Sequence, residues 1–107
     1  MTAFDPEKFE DKYVHYLTEL QQAYRRAFET MNERRDSTIV HAIDQQVLNE
    51  SEPFYRGPDA QPAFRVELPE TPYERLQGVP VGRERFETIL EEYVCELERT
   101  LESELLG

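Results

Sequence analysis

A long stripe of apolar side chains near the start of the chain sets the strongest limit on the fold. Between Asp5 and Met31 the apolar residues recur at steps of three and four, so they fall on one face of a helix within roughly 100°. The stripe consists of Phe9, Tyr13, Tyr16, Leu17, Leu20, Tyr24, Ala27, Phe28 and Met31. Asp5 can cap this helix, and Pro6 suits its first turn, where no N–H is needed. The pattern therefore predicts a helix over residues 6–33 with one buried face.

Two further segments have the same helical period. They predict a second helix over residues 38–49 and a third over residues 83–105. The buried face of the second helix consists of Ile39, Val40, Ile43 and Val47. The buried face of the third consists of Phe86, Ile89, Leu90, Tyr93, Val94, Leu97, Leu101 and Leu105. We expect the two long helices to pack antiparallel with the shorter one as a three-helix core; an extended helical hairpin that completes its core only as a dimer is an equal alternative.

Proline and glycine interrupt the segment between the second and third helices. Three prolines and a glycine make residues 51–62 a loop, since neither a helix nor a central strand can cross them. Residues 63–68 then alternate between apolar and polar, which is typical of a half-buried strand. Residues 79–81 form a second extended piece, which must lie at an edge because Pro80 cannot donate to a ladder. Whether the two pieces pair as a ribbon stays open.

A short helix is predicted between these two extended pieces, over residues 72–77. Thr71 and Glu74 have the spacing of a capping box, Pro72 occupies the first helical position, and Gly78 is a good terminator. All these elements together predict a mainly α fold: two long helices and a shorter one in a three-helix core, with a small two-stranded β ribbon and a short helical turn inserted before the last helix. At 107 residues, we expect a single domain spanning 1–107.

The charge of the chain limits its partners and its surroundings. There are 23 acidic residues against 12 basic ones, for a net charge of −11 and a pI near 4.6. Direct nucleic-acid binding is disfavoured, because it needs a basic surface to neutralise phosphates. No apolar run reaches the roughly 18 residues of a membrane span, so we expect a soluble, cytoplasmic protein without membrane contact. The acidity fits either an ordinary acidic protein or a cytosol of very high salt, where dense negative charge is screened.

Three runs of sequence carry a resemblance to a known family. They are FDPEKFEDKYVHY, VHAIDQQVLNESEPFY and FRVELPETPYERL. Together they resemble a small family of acidic haloarchaeal proteins of unassigned function, and the resemblance extends from Phe4 to at least Glu92. It implies a halophilic habitat and a common fold unit. It implies no activity, cofactor or site residue.

The best candidate site lies on the second face of the second helix. His41, Asp44, Gln45 and Leu48 are spaced by three, four and seven residues, so they lie above one another, and Phe54 and Tyr55 follow in the adjoining loop. One hypothesis is a face that binds a protein partner or another copy of the chain. The alternative is a small enzyme or a ligand- or metal-binding protein that uses the His41 and Asp44 pair under the proline-rich loop. A purely structural role, with His41 and Gln45 bonding to loop backbone, also explains the pattern.

The sequence contains none of the motifs that mark common catalytic or metal sites. HExxH, helix-borne Glu-x-x-His, calcium-loop, glycine-rich phosphate-loop and GxSxG patterns are all absent. The single cysteine, Cys95, falls among glutamates that disfavour a thiolate. We therefore predict no metal, no cofactor and no catalytic residues. The favoured function is a protein-binding or self-associating module, a homo-oligomer or a partner of another protein.

Overall fold

The computed structural model describes residues 4–107, and within them the chain forms four α-helices and two strands. They are α1 (Lys12–His15), α2 (Leu17–Arg34), α3 (Ser37–Gln46), β1 (Glu52–Tyr55), β2 (Phe64–Glu67) and α4 (Arg83–Leu106). Helix α4 lies antiparallel to α2, because Arg26 on α2 pairs with Glu104, whereas Arg35 just beyond α2 pairs with Glu92. The predicted mainly α fold is confirmed. Helix α4 folds back on α2 of the same chain, which closes the core within one molecule.

The first predicted helix is broken at Tyr16. A 3-10 turn over Lys8–Asp11 leads into α1, and Tyr16 then leaves helical geometry at φ −128° and ψ 19° before α2 begins. The Tyr16 hydroxyl accepts a hydrogen bond from the backbone N–H of Asp5 at 2.9 Å, and its ring lies 5.4 Å from that of Phe4. These contacts fold the first turn back on the chain. The prediction of one continuous helix over residues 6–33 is therefore wrong in its first third.

This break shifts the buried face of the helix. The stripe predicts that Tyr13 and Leu17 are buried, but their side chains are 56% and 45% exposed. Ala23, which lies outside the predicted stripe, is completely buried against α4. A helical period gives correct faces only while the helix is continuous.

Helix α3 begins close to its predicted start and ends earlier than predicted. The Asp36 carboxylate caps it by accepting from the backbone N–H of Thr38 at 2.9 Å. Val47 leaves the helix at φ −118°, and a 3-10 turn over Leu48–Glu50 follows. The turn carries Leu48 inward, where it is only 3% exposed, instead of leaving it on an open helix surface.

The ribbon consists of two antiparallel strands, but its second strand is not the predicted one. β2 pairs with β1, which lies inside the predicted loop over residues 51–62, and residues 79–81 form no strand. Pro53 on β1 lies opposite Val66, and the N–H of Val66 donates to Glu98 of α4. The N–H of Val66 thus points away from β1, so Pro53 and Val66 form a non-hydrogen-bonded pair and the missing N–H of Pro53 costs the ladder nothing.

Two glutamates of α4 close the outer side of β2. Glu98 accepts from the backbone N–H of Val66 at 3.0 Å, and Glu102 accepts from the N–H of Ala63 at 2.6 Å. The two carboxylates are one helical turn apart, so they reach two backbone N–H groups that are three residues apart on this segment. These two charged side chains thus dock the ribbon on the last helix.

The short helix before α4 is a 3-10 turn over Pro72–Arg75 rather than a helix over residues 72–77. The predicted capping box is wrong. Thr71 has left-handed backbone, at φ 46° and ψ 62°, and its hydroxyl donates to the carbonyl of Glu70 at 2.8 Å. The side chain is thereby turned away from the free N–H groups that a cap would satisfy.

The core lies between α2, α3, α4 and one face of the ribbon. The predicted buried faces of α3 and α4 are confirmed, with every member buried except Val94, which is half-buried. Among residues 4–107, no helix is both long enough and apolar enough to cross a membrane.

Candidate functional site

A groove of about 460 Å³ opens between α2, α3 and the start of β1. We call it the α2–α3 groove. Leu20, Leu48 and Pro53 are buried and form its floor, whereas Tyr13 and Leu17 form one edge. Its volume lies in the range of roughly 300–1,000 Å³ that is usual for binding sites, and its walls are mainly apolar.

Three large apolar side chains remain exposed at the edge of this groove. Tyr13 and Leu17 line it directly, whereas Phe54 on β1 is 40% exposed near the groove without lining it. We call these three residues the apolar rim. The Lys12 ammonium lies 5.0 Å from the Phe54 ring and 5.4 Å from the Tyr13 ring, so both rings neighbour the same cation. Adjacent exposed apolar residues around a concave surface are typical of a binding site.

Lys12 is the residue that anchors this edge of the groove. Its side chain is buried, its ammonium binds the Glu52 carboxylate at 2.8 Å, and it also lies over the Phe9 ring at 5.4 Å. The pair ties α1 to β1 and fixes the rings of Tyr13 and Phe54. Sequence reasoning missed this role. The sequence signal for this role is that Lys12, one of only two lysines in the chain, lies between aromatic residues.

Asp44 is the charged side chain of the groove. It is half-buried, and burial raises the pKa of its carboxyl, an effect opposed by the Tyr93 hydroxyl and by His41. Among residues 4–107, Asp44 takes part in no ion pair. The Tyr93 hydroxyl is buried and faces Asp44 without meeting hydrogen-bond geometry, and burial together with that carboxylate raises its pKa. The groove thus contains a carboxylate with unused bonding capacity.

The Tyr24 hydroxyl, by contrast, already donates its proton to another residue of the protein. The Ser51 hydroxyl donates to the carbonyl of Leu48 at 2.7 Å, so at 3.0 Å from Tyr24 it must accept the tyrosine proton. Burial raises the pKa of Tyr24 to about 12, so the phenol is neutral at physiological pH. Tyr24 therefore supplies shape to the groove, and its hydroxyl is not a free donor.

The six residues of the predicted binding face lie in three places. Asp44, Gln45 and Leu48 line the α2–α3 groove. Phe54 belongs to the apolar rim. Tyr55 points to the other side of β1, because neighbouring strand residues face opposite ways, and its ring lies 4.9 Å from Phe4 and 5.3 Å from Phe64. The structure thus brings three of the six together in the groove.

His41 lies outside the groove. Its imidazole is exposed and packs edge-on against Phe28, with 4.8 Å between ring centroids. Within the described part of the chain, no group of three or more His, Cys, Asp or Glu side chains is arranged to hold a metal ion.

The chain is thus a small helical protein with a docked β ribbon and one apolar groove on its helical hairpin. A model of a family of unknown function, DUF5783, matches residues 1–106, and the chain belongs to that family. The predicted membership of a family without an assigned function is confirmed. No curated protein and no solved structure matches the sequence.

Proposed function

We propose that the protein is a non-catalytic binding module that takes a segment of a partner protein into the α2–α3 groove. The observation that carries this proposal is the apolar rim, three large side chains left in water beside a concave apolar surface. Covering such side chains is favourable by roughly 25 cal/mol for each Å² removed from water. Aromatic residues next to a pocket are also the usual anchors of protein interfaces.

The length of the rim favours a segment of protein over a small molecule. It continues from the groove edge at Leu17 past Tyr13 to Phe54 on the ribbon, beyond the floor formed by Leu20 and Leu48. An amphipathic helix laid in a groove makes contacts of this kind through side chains three and four residues apart. At low salt, two molecules of charge −11 repel each other, which disfavours a second copy of the chain as the occupant.

The alternative, an enzyme or metal site built on His41 and Asp44, has less support. The two side chains form no ion pair, and His41 packs on Phe28 outside the groove. The proline-rich segment after Tyr55 folds toward α4, with Ala63 bonded to Glu102, and does not cover His41.

Selection from a displayed library of random peptides tests the proposal. Peptides of about 16 residues span four helical turns, enough to cover the groove. We expect the wild-type protein to enrich peptides with apolar residues at helical spacing. Leu17→Asp should weaken their binding about tenfold or more while leaving the circular dichroism spectrum unchanged, because Leu17 is largely exposed.

Val14→Asp is the matched control for this experiment. Val14 is 79% exposed on the neighbouring turn but does not line the groove, so the same change of charge there should leave binding intact. If the wild type enriches no peptide, or if the enriched peptides bind Leu17→Asp equally well, the proposal is wrong. Enrichment that Val14→Asp also abolishes would place the binding surface elsewhere.

We also propose that the protein works in the cytoplasm of a haloarchaeon, at molar salt. The net charge of −11 supports this, because like charges repel least when salt shortens the screening length from about 10 Å to about 3 Å. We expect the melting temperature to rise by at least about 5 °C, or about 1 kcal/mol, between about 0.1 M and about 3 M KCl.

A charge-reduced variant separates screening from other effects of salt. Glu10, Glu33 and Glu91 are exposed and take no part in the ion pairs among residues 4–107. The triple change of these residues to Gln should reduce the rise in melting temperature. A melting temperature that does not respond to KCl, or that rises equally in the variant, contradicts the high-salt proposal.

A further inference from the structure

Asp44 is an unusual residue to find in the α2–α3 groove. It is the sole charged side chain among those that line the groove, and it is half-buried beside apolar walls. Placing a carboxylate there costs stability unless a partner compensates for the lost water. Nothing that the structure describes supplies a cation inside the groove: Lys12 is bound to Glu52, and His41, which acts on Asp44 from one helical turn away, is exposed outside the groove.

On the side that faces α4, the Asp44 carboxylate has one neighbouring donor, which leaves most of its acceptor positions unused. The buried Tyr93 hydroxyl approaches Asp44 from α4 and has no other partner among the described residues. A carboxylate has about four acceptor positions, and one phenol uses at most one of them. Asp44 lines the groove, and its remaining acceptor positions receive no hydrogen bond from residues 4–107.

The neighbouring polar side chains are uncommitted too. Gln21 on α2, Gln45 on α3 and Asn49 on the following turn all line the groove. None of them takes part in the side-chain hydrogen bonds among residues 4–107. Their carbonyl oxygens add neutral acceptors around one anionic acceptor. Such a set suits a group that offers several N–H donors and a positive charge, as an ammonium or a guanidinium does.

We propose that the groove selects a partner segment that carries a lysine or arginine, whose cationic group binds Asp44 while its hydrocarbon chain packs on Leu17 and Leu20. This inference rests on the proposed function and adds the chemistry of the partner. The attraction that this pairing needs is local, because a carboxylate and a cationic group in hydrogen-bond contact attract each other even where salt screens charges more than about 3 Å apart. Long basic side chains suit the site since they have an apolar stem and a charged end.

The substitution Asp44→Asn should separate stability from binding. Asn keeps the shape and an acceptor for Tyr93 but removes the half-buried charge, so we expect the melting temperature to stay the same or rise. Burial raises the pKa of Asp44, which supports that direction. Binding of cationic peptides should fall about tenfold, because a charge-assisted hydrogen bond is lost. A residue with a purely structural role would lower stability when replaced.

Two peptide libraries make the experiment decisive: one contains lysine and arginine, and the other is identical but lacks both. Both are selected on the wild type, on Asp44→Asn and on Asp59→Asn. Asp59 is exposed in the hairpin loop, outside the groove, so its variant matches the loss of one negative charge. We expect cationic peptides to be enriched on the wild type and on Asp59→Asn, and to bind Asp44→Asn about tenfold more weakly.

The other outcomes overturn one proposal or both. Equal enrichment from the library without lysine and arginine would leave the binding groove standing and refute cation selection. Equal loss in Asp59→Asn and Asp44→Asn would mean general attraction by the acidic surface. If neither library is enriched on the wild type, the binding module itself is refuted.

Discussion

Phe64→Ala is expected to lower the free energy of unfolding by about 3–5 kcal/mol. Phe64 is completely buried on β2, and its ring centroid lies 5.5 Å from Phe4, 5.4 Å from Phe9 and 5.3 Å from Tyr55. Removing it leaves a cavity at the point where the first turn, the ribbon and the helical core meet. Since domains of this size are stable by only about 5–15 kcal/mol, the loss is a large share of the total.

The measurement is urea unfolding followed by circular dichroism, with Phe54→Ala as the control. Phe54 has the same side chain on the neighbouring strand, but it is 40% exposed and its main described contact is with the Lys12 ammonium at 5.0 Å. Its truncation should cost no more than about 1 kcal/mol. If the two variants lose equal stability, the aromatic cluster around Phe64 is not a centre of the fold.

The helices of this chain could be predicted because their signal is local. The apolar faces of α3 and α4 follow from spacing within a single segment, and every residue predicted for them is buried or half-buried. The predicted end of α3 is less accurate, because the Val47 backbone leaves the helix at a position that no proline or glycine indicates in the sequence.

The strand pairing could not be predicted because it depends on distant contacts. β1 is four residues long and contains Pro53, so nothing in its composition distinguishes it from a loop. Contacts from distant parts of the chain hold the ribbon in place. Glu98 of α4 accepts from the N–H of Val66, the residue opposite Pro53, and Lys12 binds Glu52, the first residue of β1.

The candidate site was found from one side only. Helical spacing predicts a shared face for Asp44, Gln45 and Leu48, and all three line the groove. The opposite edge was missed, because Tyr13 and Leu17 belong to a continuous helical stripe unless the helix breaks at Tyr16. That break is produced by hydrogen bonding and ring contacts between Tyr16 and the first turn, which no local pattern reveals.

Ala23→Leu is the second large effect that we expect, a loss of about 3 kcal/mol, or about 15 °C in melting temperature. Ala23 and Ala27 are completely buried where α2 crosses α4. The helices approach closely enough for the Thr100 hydroxyl of α4 to reach the backbone carbonyl of Ala23 at 3.1 Å. A leucine at position 23 has no space, so it must push the helices apart and break that bond.

Two comparisons show whether close packing is the cause. Gln22→Leu adds a leucine to the adjacent exposed position and should change stability by no more than about 0.5 kcal/mol. The pair Ala23→Leu with Thr100→Ala removes atoms from the facing helix, so the double variant should recover about 1 kcal/mol relative to the sum of the single changes. Strict additivity would mean that the larger side chain is accommodated without meeting Thr100. The crossing of α2 and α4 would then not be limited by these two residues, and the large loss would have to come from elsewhere in the core.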